Sequence, residues 1–141
     1  MVTRTEWQRI AEERVRDAAA LLGAKRWSAA YYLTGYAVEC GLKTCVVLHV
    51  KRNADVVFRE KRFSEKCWTH DIEELVKLAG LRAMRDADAP VDSALFLSWQ
   101  VVKDWSEIAR YERKTRFDAE ELYEAVTHNA NGVLPWIRNH W

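Results

Sequence analysis

The chain has 141 residues and a mass of 16.5 kDa, enough for one hydrophobic core but not for two and a linker, so residues 1–141 read as a single domain. Hydrophobic residues make up 49% and charged residues 30%, which excludes a disordered or fibrous chain. The net charge of +1 excludes a global field that would draw the protein onto nucleic acid or a membrane. That balance hides an asymmetry: residues 1–70 carry 13 basic and 8 acidic side chains, whereas residues 71–141 carry 9 and 13. Only 5 Gly and 2 Pro punctuate the chain, so its elements should be long and helical. Three cysteines are too few for a disulfide-stapled domain, and neither an apolar leader nor a long uncharged apolar run is present; a cytoplasmic, non-membrane protein is expected.

Residues 3–22 read as an amphipathic helix, with Trp7, Ile10, Ala11, Val15, Ala18 and Leu22 on one face, Thr3 and Glu6 at capping-box spacing, and Gly23 as a stop. The segment from Trp27 to about Val50 is the most apolar, and its broad stripe suits a helix buried on two sides. Residues 51–69 read as a long basic connection, with six Lys or Arg against three acids and room for a short helix. Asp71 and Glu74 then form a capping box for a three-turn helix closed by Gly80.

Arg82 to Pro90 reads as a connector, followed by a helix from about Asp92 to Ile108 anchored by Leu95, Phe96, Trp99, Val102 and Trp105. After a polar break comes a last helix, capped by Asp118 and Glu121 and running to Ile137, which Pro135 should kink or break. No segment alternates with period two. The expected fold is all-α, an antiparallel up-and-down bundle of four to five helices.

The run AAYYLTGYAVECGLKTCV at 29–46, THDIEELVKLAG at 69–80 and WSEIARYE at 105–112 together resemble the HEPN (higher eukaryotes and prokaryotes nucleotide-binding) superfamily. The similarity covers most of the chain, and its most specific parts are Tyr36-Ala37-Val38-Glu39 with Leu42-Lys43, Thr69-His70-Asp71 and Arg110-Tyr111. It implies a helical bundle that pairs as a homodimer and either binds RNA or a nucleotide or cleaves RNA without metal. Such proteins act in toxin–antitoxin or defence settings, some with a nucleotidyltransferase partner. The nuclease members carry Arg, four to six residues, then His. Here neither Arg110 nor Arg113 has a His at that distance, and none of His49, His70, His128 and His140 has an Arg at the matching upstream position. The resemblance therefore points to a non-catalytic binding module.

The candidate binding residues are Lys43, Arg110, Tyr111, Arg113, Lys114 and Arg116, since a basic run with aromatic neighbours suits phosphates and stacked bases. Glu39 is placed to form a solvated ion pair with Lys43 one turn on, along the polar strip of that helix, or to orient Arg110 in a polar pocket. Metal-independent RNA cleavage needs proton carriers and a cationic clamp on the phosphate. His70, Arg110 and Glu39 are the candidates for that alternative, and an assembly module docking another protein is the other.

Cys67-x-x-His70 has ligand-like spacing, but Cys40 and Cys45 fall about 140° apart around one helix; no metal site is assigned, and no cofactor motif is present. Trp7, Trp27, Trp99, Trp105 and Trp136 are assigned to apolar stripes, and Trp68 and Trp141 to a dimer or partner surface.

Overall fold

A computed structural model describes residues 2–141, and over them the chain is all-helical, with no strand. α1 (Arg4–Gly23) starts on the expected box: Glu6 donates its N–H to the Thr3 hydroxyl at 3.2 Å, and Thr3 N–H donates to the Glu6 carboxylate at 2.7 Å. A three-residue turn with Lys25 at φ 59° folds the chain back into α2 (Trp27–Arg52).

α2 is the central element, and α1, α5, α8 and α9 below all pack on it. Its buried residues, from Ala30 through Val38 and Leu42 to Val46, lie all around the helix rather than along one stripe. Two buried threonines on it remain satisfied, because Thr34 and Thr44 donate back to the carbonyls of Ala30 and Cys40 at 2.7 and 3.1 Å.

The basic connection contains two single turns, α3 (Val56–Arg59) and α4 (Phe63–Lys66), tacked down by buried Val56 and Phe63. α5 (Ile72–Leu78) follows with Asp71 as N-cap, accepting the Glu74 N–H at 2.9 Å. The expected box is only half made, because the Asp71 N–H donates to the Thr69 hydroxyl at 3.1 Å instead of to Glu74.

Residues 82–90, expected as a connector, hold a helix, α6 (Arg82–Asp88). Its anchor is Arg85, whose guanidinium lies 5.1 Å from the Trp99 ring and is bidentate to Glu73 at 2.7 and 3.1 Å. These are tertiary contacts that a local pattern does not carry. α7 (Ala94–Lys103) is shorter than expected at both ends. Asp92 sits at φ 69° and cannot be helical, so Ser93 becomes the cap and accepts the Phe96 N–H at 3.1 Å. Beyond Lys103 the backbone turns to drive Trp105 into the core, and a 3₁₀ helix (Glu107–Tyr111) replaces the last turns.

α8 (Arg116–Thr127) is capped one turn earlier than expected, by a reciprocal Thr115 and Asp118 box at 3.1 and 3.0 Å. The break in the last helix falls not at Pro135 but at residues 128–132, where His128 Nδ1 accepts the N–H groups of Ala130 and Asn131 at 3.2 and 3.0 Å. Pro135 lies in the first turn of α9 (Val133–Arg138), where a missing N–H costs nothing. The four to five helices expected are thus nine among the described residues, the extra ones being short.

Leu42, Leu75, Val102, Leu122, Leu134 and Ile137 form the sealed centre. Trp141, assigned by sequence to a partner surface, instead packs against this core, its carbonyl accepting from Arg4 and, at 3.2 Å, from Gln8. No helix among the described residues is long and apolar enough to cross a membrane.

Candidate functional site

Glu39 and Lys43 stand one turn apart on α2, and Glu39 is 1% exposed, which an isolated carboxylate could not sustain. Lys43 Nζ lies 3.2 Å from one of its oxygens and His70 Nδ1 lies 2.9 Å from the other. The His70 Nε2 in turn faces Glu107 Oε2 at 3.2 Å. Lys43, Glu39, His70 and Glu107 therefore form a chain of polar contacts from the middle of α2 to the 3₁₀ helix. Of the two approaches, the one between His70 Nδ1 and Glu39 has hydrogen-bond geometry, and Glu107 stands beside the other ring nitrogen.

Local structure explains each position. Thr69 and Asp71 fix the turn around His70 through the cap of α5, so the ring projects beside α2. Glu107 is set by Trp105, which is buried against Gly35: a Cβ at Gly35 would fall 2.2 Å from the indole ring. Trp105 also stacks on Tyr32 with ring centroids 6.0 Å apart. The pairing of Trp105 with Gly35 thereby sets the 3₁₀ helix, and Glu107 with it, against α2.

Around this chain lie two openings. One, of about 320 Å³, is lined by His70, Glu107, Ile108 and Lys103; the other, of about 490 Å³, is apolar and lined by Trp7, Lys43, Val46, Cys67 and Trp68. Lys43 Nζ also lies 5.3 Å from the Trp7 ring, so its charge is held by a carboxylate and an aromatic face together. Burial pushes the Cys40 thiol next to Glu39 up to about 12, and Cys45 likewise, so both are neutral packing groups. Tyr36 is also held up at about 12, first by burial and then by Cys40 and Glu39.

Of the two roles expected for Glu39, the ion pair with Lys43 is made, though buried rather than solvated, and the pairing with Arg110 is not. Glu39 is occupied by His70 and Lys43, and Arg110 has no ion-pair partner among the described residues. Arg110 instead lies 4.9 Å from the ring of Tyr111, which is 78% exposed. In a 3₁₀ helix residues i and i+3 eclipse, so the Arg110 and Glu107 positions share a side, and the Arg110 pKa is raised, first by Tyr111 and then by Tyr32 and Glu107.

The basic run divides. Arg113 is exposed and without an ion-pair partner among the described residues. Lys114 is largely covered by the fold, and Arg116 is exposed but paired. Lys114 N–H donates to the Ser28 hydroxyl at 2.8 Å and its Nζ lies 4.7 Å from the Tyr31 ring, while Arg116 sits 5.7 Å from the Trp27 ring and 2.8 Å from Glu120. Lys114 thus covers Tyr31 at the start of α2, which weakens it as a ligand contact, whereas the Arg116 side chain remains 71% exposed.

Sequence reasoning missed Glu107. Its signal was the three-residue spacing to Arg110, which has meaning only once the segment is known to be 3₁₀ rather than α. No protein-family model matches the chain, and neither the curated proteins nor the solved structures contain a significant match to it.

Proposed function

We propose that the chain is an HEPN-like helical module that binds RNA or a nucleotide without cleaving it, in a toxin–antitoxin or defence setting with a partner such as a nucleotidyltransferase. The observation that carries the reading is the pair of guanidiniums without an ion-pair partner among the described residues, Arg110 against the exposed Tyr111 ring and Arg113 two residues beyond it. Guanidiniums clamp phosphate oxygens, and an exposed ring offers a stacking face for a base. Ala109, buried at the centre of the 3₁₀ helix, holds that surface to the core, so little ordering is needed on binding. The same surface is compatible with a homodimer, in which two copies present it twice.

The test is retention and cleavage of single-stranded and structured RNA by metal-free protein, beside Arg110→Ala and Arg113→Ala. Retention without cleavage, weakened in both variants, supports the reading; unchanged retention removes it.

A second reading, metal-independent RNA cleavage, is favoured by His70. It is 45% exposed, set between two carboxylates, and lines an opening with Glu107, which shares the 3₁₀ helix with Arg110. In that role Arg110 would hold the phosphate while the imidazole, released from Glu107, exchanges protons with the 2′-hydroxyl and the leaving oxygen. Loss of cleavage in a folded His70→Ala protein would establish this reading over simple binding.

A further inference from the structure

The apolar opening of about 490 Å³ shares only Lys43 with the chain of contacts that runs through Glu39, His70 and Glu107. Trp7 comes to it from α1 and Val46 and Val47 from α2, while Cys67 and Trp68 come from the end of the 51–69 connection, which buried Phe63 ties to the core. Lys43 and Val47 stand one turn apart on α2, so the one charged group of the opening shares a row with part of its apolar wall. Trp68 is 79% exposed. A concave apolar site edged by a largely solvated indole is surface that an apolar ligand would take out of water.

The charge of Lys43 is already answered, because Glu39 lies 3.2 Å from its Nζ and is itself buried. An anionic ligand would set a second negative group beside that carboxylate, so the opening favours a neutral one. Burial also pushes the Cys67 thiol up, which leaves it as a neutral part of the wall. Hydrogen-bonding capacity is another matter. The ammonium has three donors, and Glu39 accepts from one of them. With Nζ 5.3 Å from the Trp7 ring and the side chain 12% exposed, a donor stands beside aromatic surface at the opening.

We propose that this opening binds a small, uncharged, planar aromatic molecule, its ring lying against Trp68 and Val47 and its one hydrogen-bond acceptor meeting Lys43 Nζ. The volume falls within the range of ligand sites, roughly 300–1,000 Å³, and the lining has their usual character, apolar walls with one placed polar group. Indole rings favour an aromatic occupant over an aliphatic one, because ring pairs gain more than their buried area alone. The proposal does not rest on RNA or nucleotide binding, since none of Arg110, Tyr111 and Arg113 lines the opening.

The experiment is chemical-shift mapping of the full chain, amide and indole N–H signals together, titrated at neutral pH with three probes of similar shape. Quinoline is uncharged and has a single ring-nitrogen acceptor, naphthalene lacks the acceptor, and quinoline-2-carboxylate adds a negative charge. Quinoline should shift the indole signals of Trp7 and Trp68 and the amides of Val46, Val47 and Cys67, and the carboxylate should bind more weakly than quinoline. Trp68→Ala, an exposed side chain whose loss leaves the fold intact, should weaken quinoline by about fivefold or more. Lys43→Met should weaken quinoline by about as much and leave naphthalene unchanged. If that variant does not fold, Trp68→Ala and the carboxylate comparison decide. Arg113→Ala should leave the quinoline shifts in place, so a failure of RNA binding and a failure at this opening are told apart. No shift at millimolar quinoline, shifts confined to residues 107–117, unchanged affinity in Trp68→Ala, or tighter binding of the carboxylate would each overturn the proposal.

Discussion

Glu39 of α2 meets His70 at 2.9 Å, so a carboxylate buried in the centre of the bundle is joined to a half-exposed imidazole just ahead of α5. Glu39 also holds Lys43, whose side chain is 12% exposed. Removing the acid strands a largely buried ammonium, which is the costly way to break such a pair. Glu39→Ala should therefore lose about 3–5 kcal/mol of stability. His70→Ala, at a half-exposed position, should lose only about 1 kcal/mol. Urea denaturation of the two variants decides the order, and a Glu39→Ala cost no larger than that of His70→Ala would mean the carboxylate is solvated in the native protein.

Gly35 leaves room for the Trp105 ring where a methyl group would fall 2.2 Å from it. Gly35→Ala must displace the indole and with it the 3₁₀ helix that carries Glu107 and Arg110. A loss of roughly 1–3 kcal/mol or more is expected from overpacking. The near-UV circular dichroism of tryptophan should change in the same variant, and a wild-type signal there would show that the ring had not moved.

Cys40 and Cys45 are held up at about 12 by burial, against about 8.5 in an unfolded chain. The native state therefore keeps these protons to higher pH than the unfolded state does. Stability from this source is complete below about pH 8.5 and declines as pH rises toward about 12. Urea midpoints should fall between neutral pH and about pH 10, and less so in Cys45→Ala. The native thiols should also resist alkylation at neutral pH, while the partly exposed Cys67 reacts first.

Lys114 covers Tyr31, whereas Arg110 and Arg113 have no ion-pair partner among the described residues. If RNA binds at this surface, Arg110→Ala and Arg113→Ala should each reduce the slope of log affinity against log salt by about one. Lys114→Ala should lower the melting temperature more than it changes that slope. Salt titrations of the three variants separate Lys114 from the two arginines, and equal slopes across all three would assign them to one role.

The site was partly legible in the sequence because two of its members are local. Glu39 and Lys43 lie one helical turn apart, and Thr69-His70-Asp71 marks a helix start, so types and spacing carried them. The pairing of Glu39 with His70 rather than Arg110 joins residues 31 positions apart. Nothing in the local pattern fixes which of two cations a buried carboxylate will meet, since that depends on where the 51–69 connection returns the chain. Glu107 was hidden for a related reason. An α-helical reading of residues 92–108 placed it on a continuing helix, and only the demand of Trp105 for the space over Gly35 ended that helix at Lys103.

The sequence by itself determined the helical class, the long apolar second helix, the start of the first helix and a basic run rich in aromatic neighbours. Those properties rest on periodicity, capping side chains and composition, which act within a turn or two of the chain. The tertiary structure alone decided which charges are spent inside the fold and which remain free. Lys114 lies against the Tyr31 ring, Arg138 is paired to Glu12 across 126 residues, and Arg110 and Arg113 are left without an ion-pair partner among the described residues. A side chain's charge is written in the sequence, but its partner is set by packing, because burial brings together residues with no local relation and leaves the others to solvent or ligand.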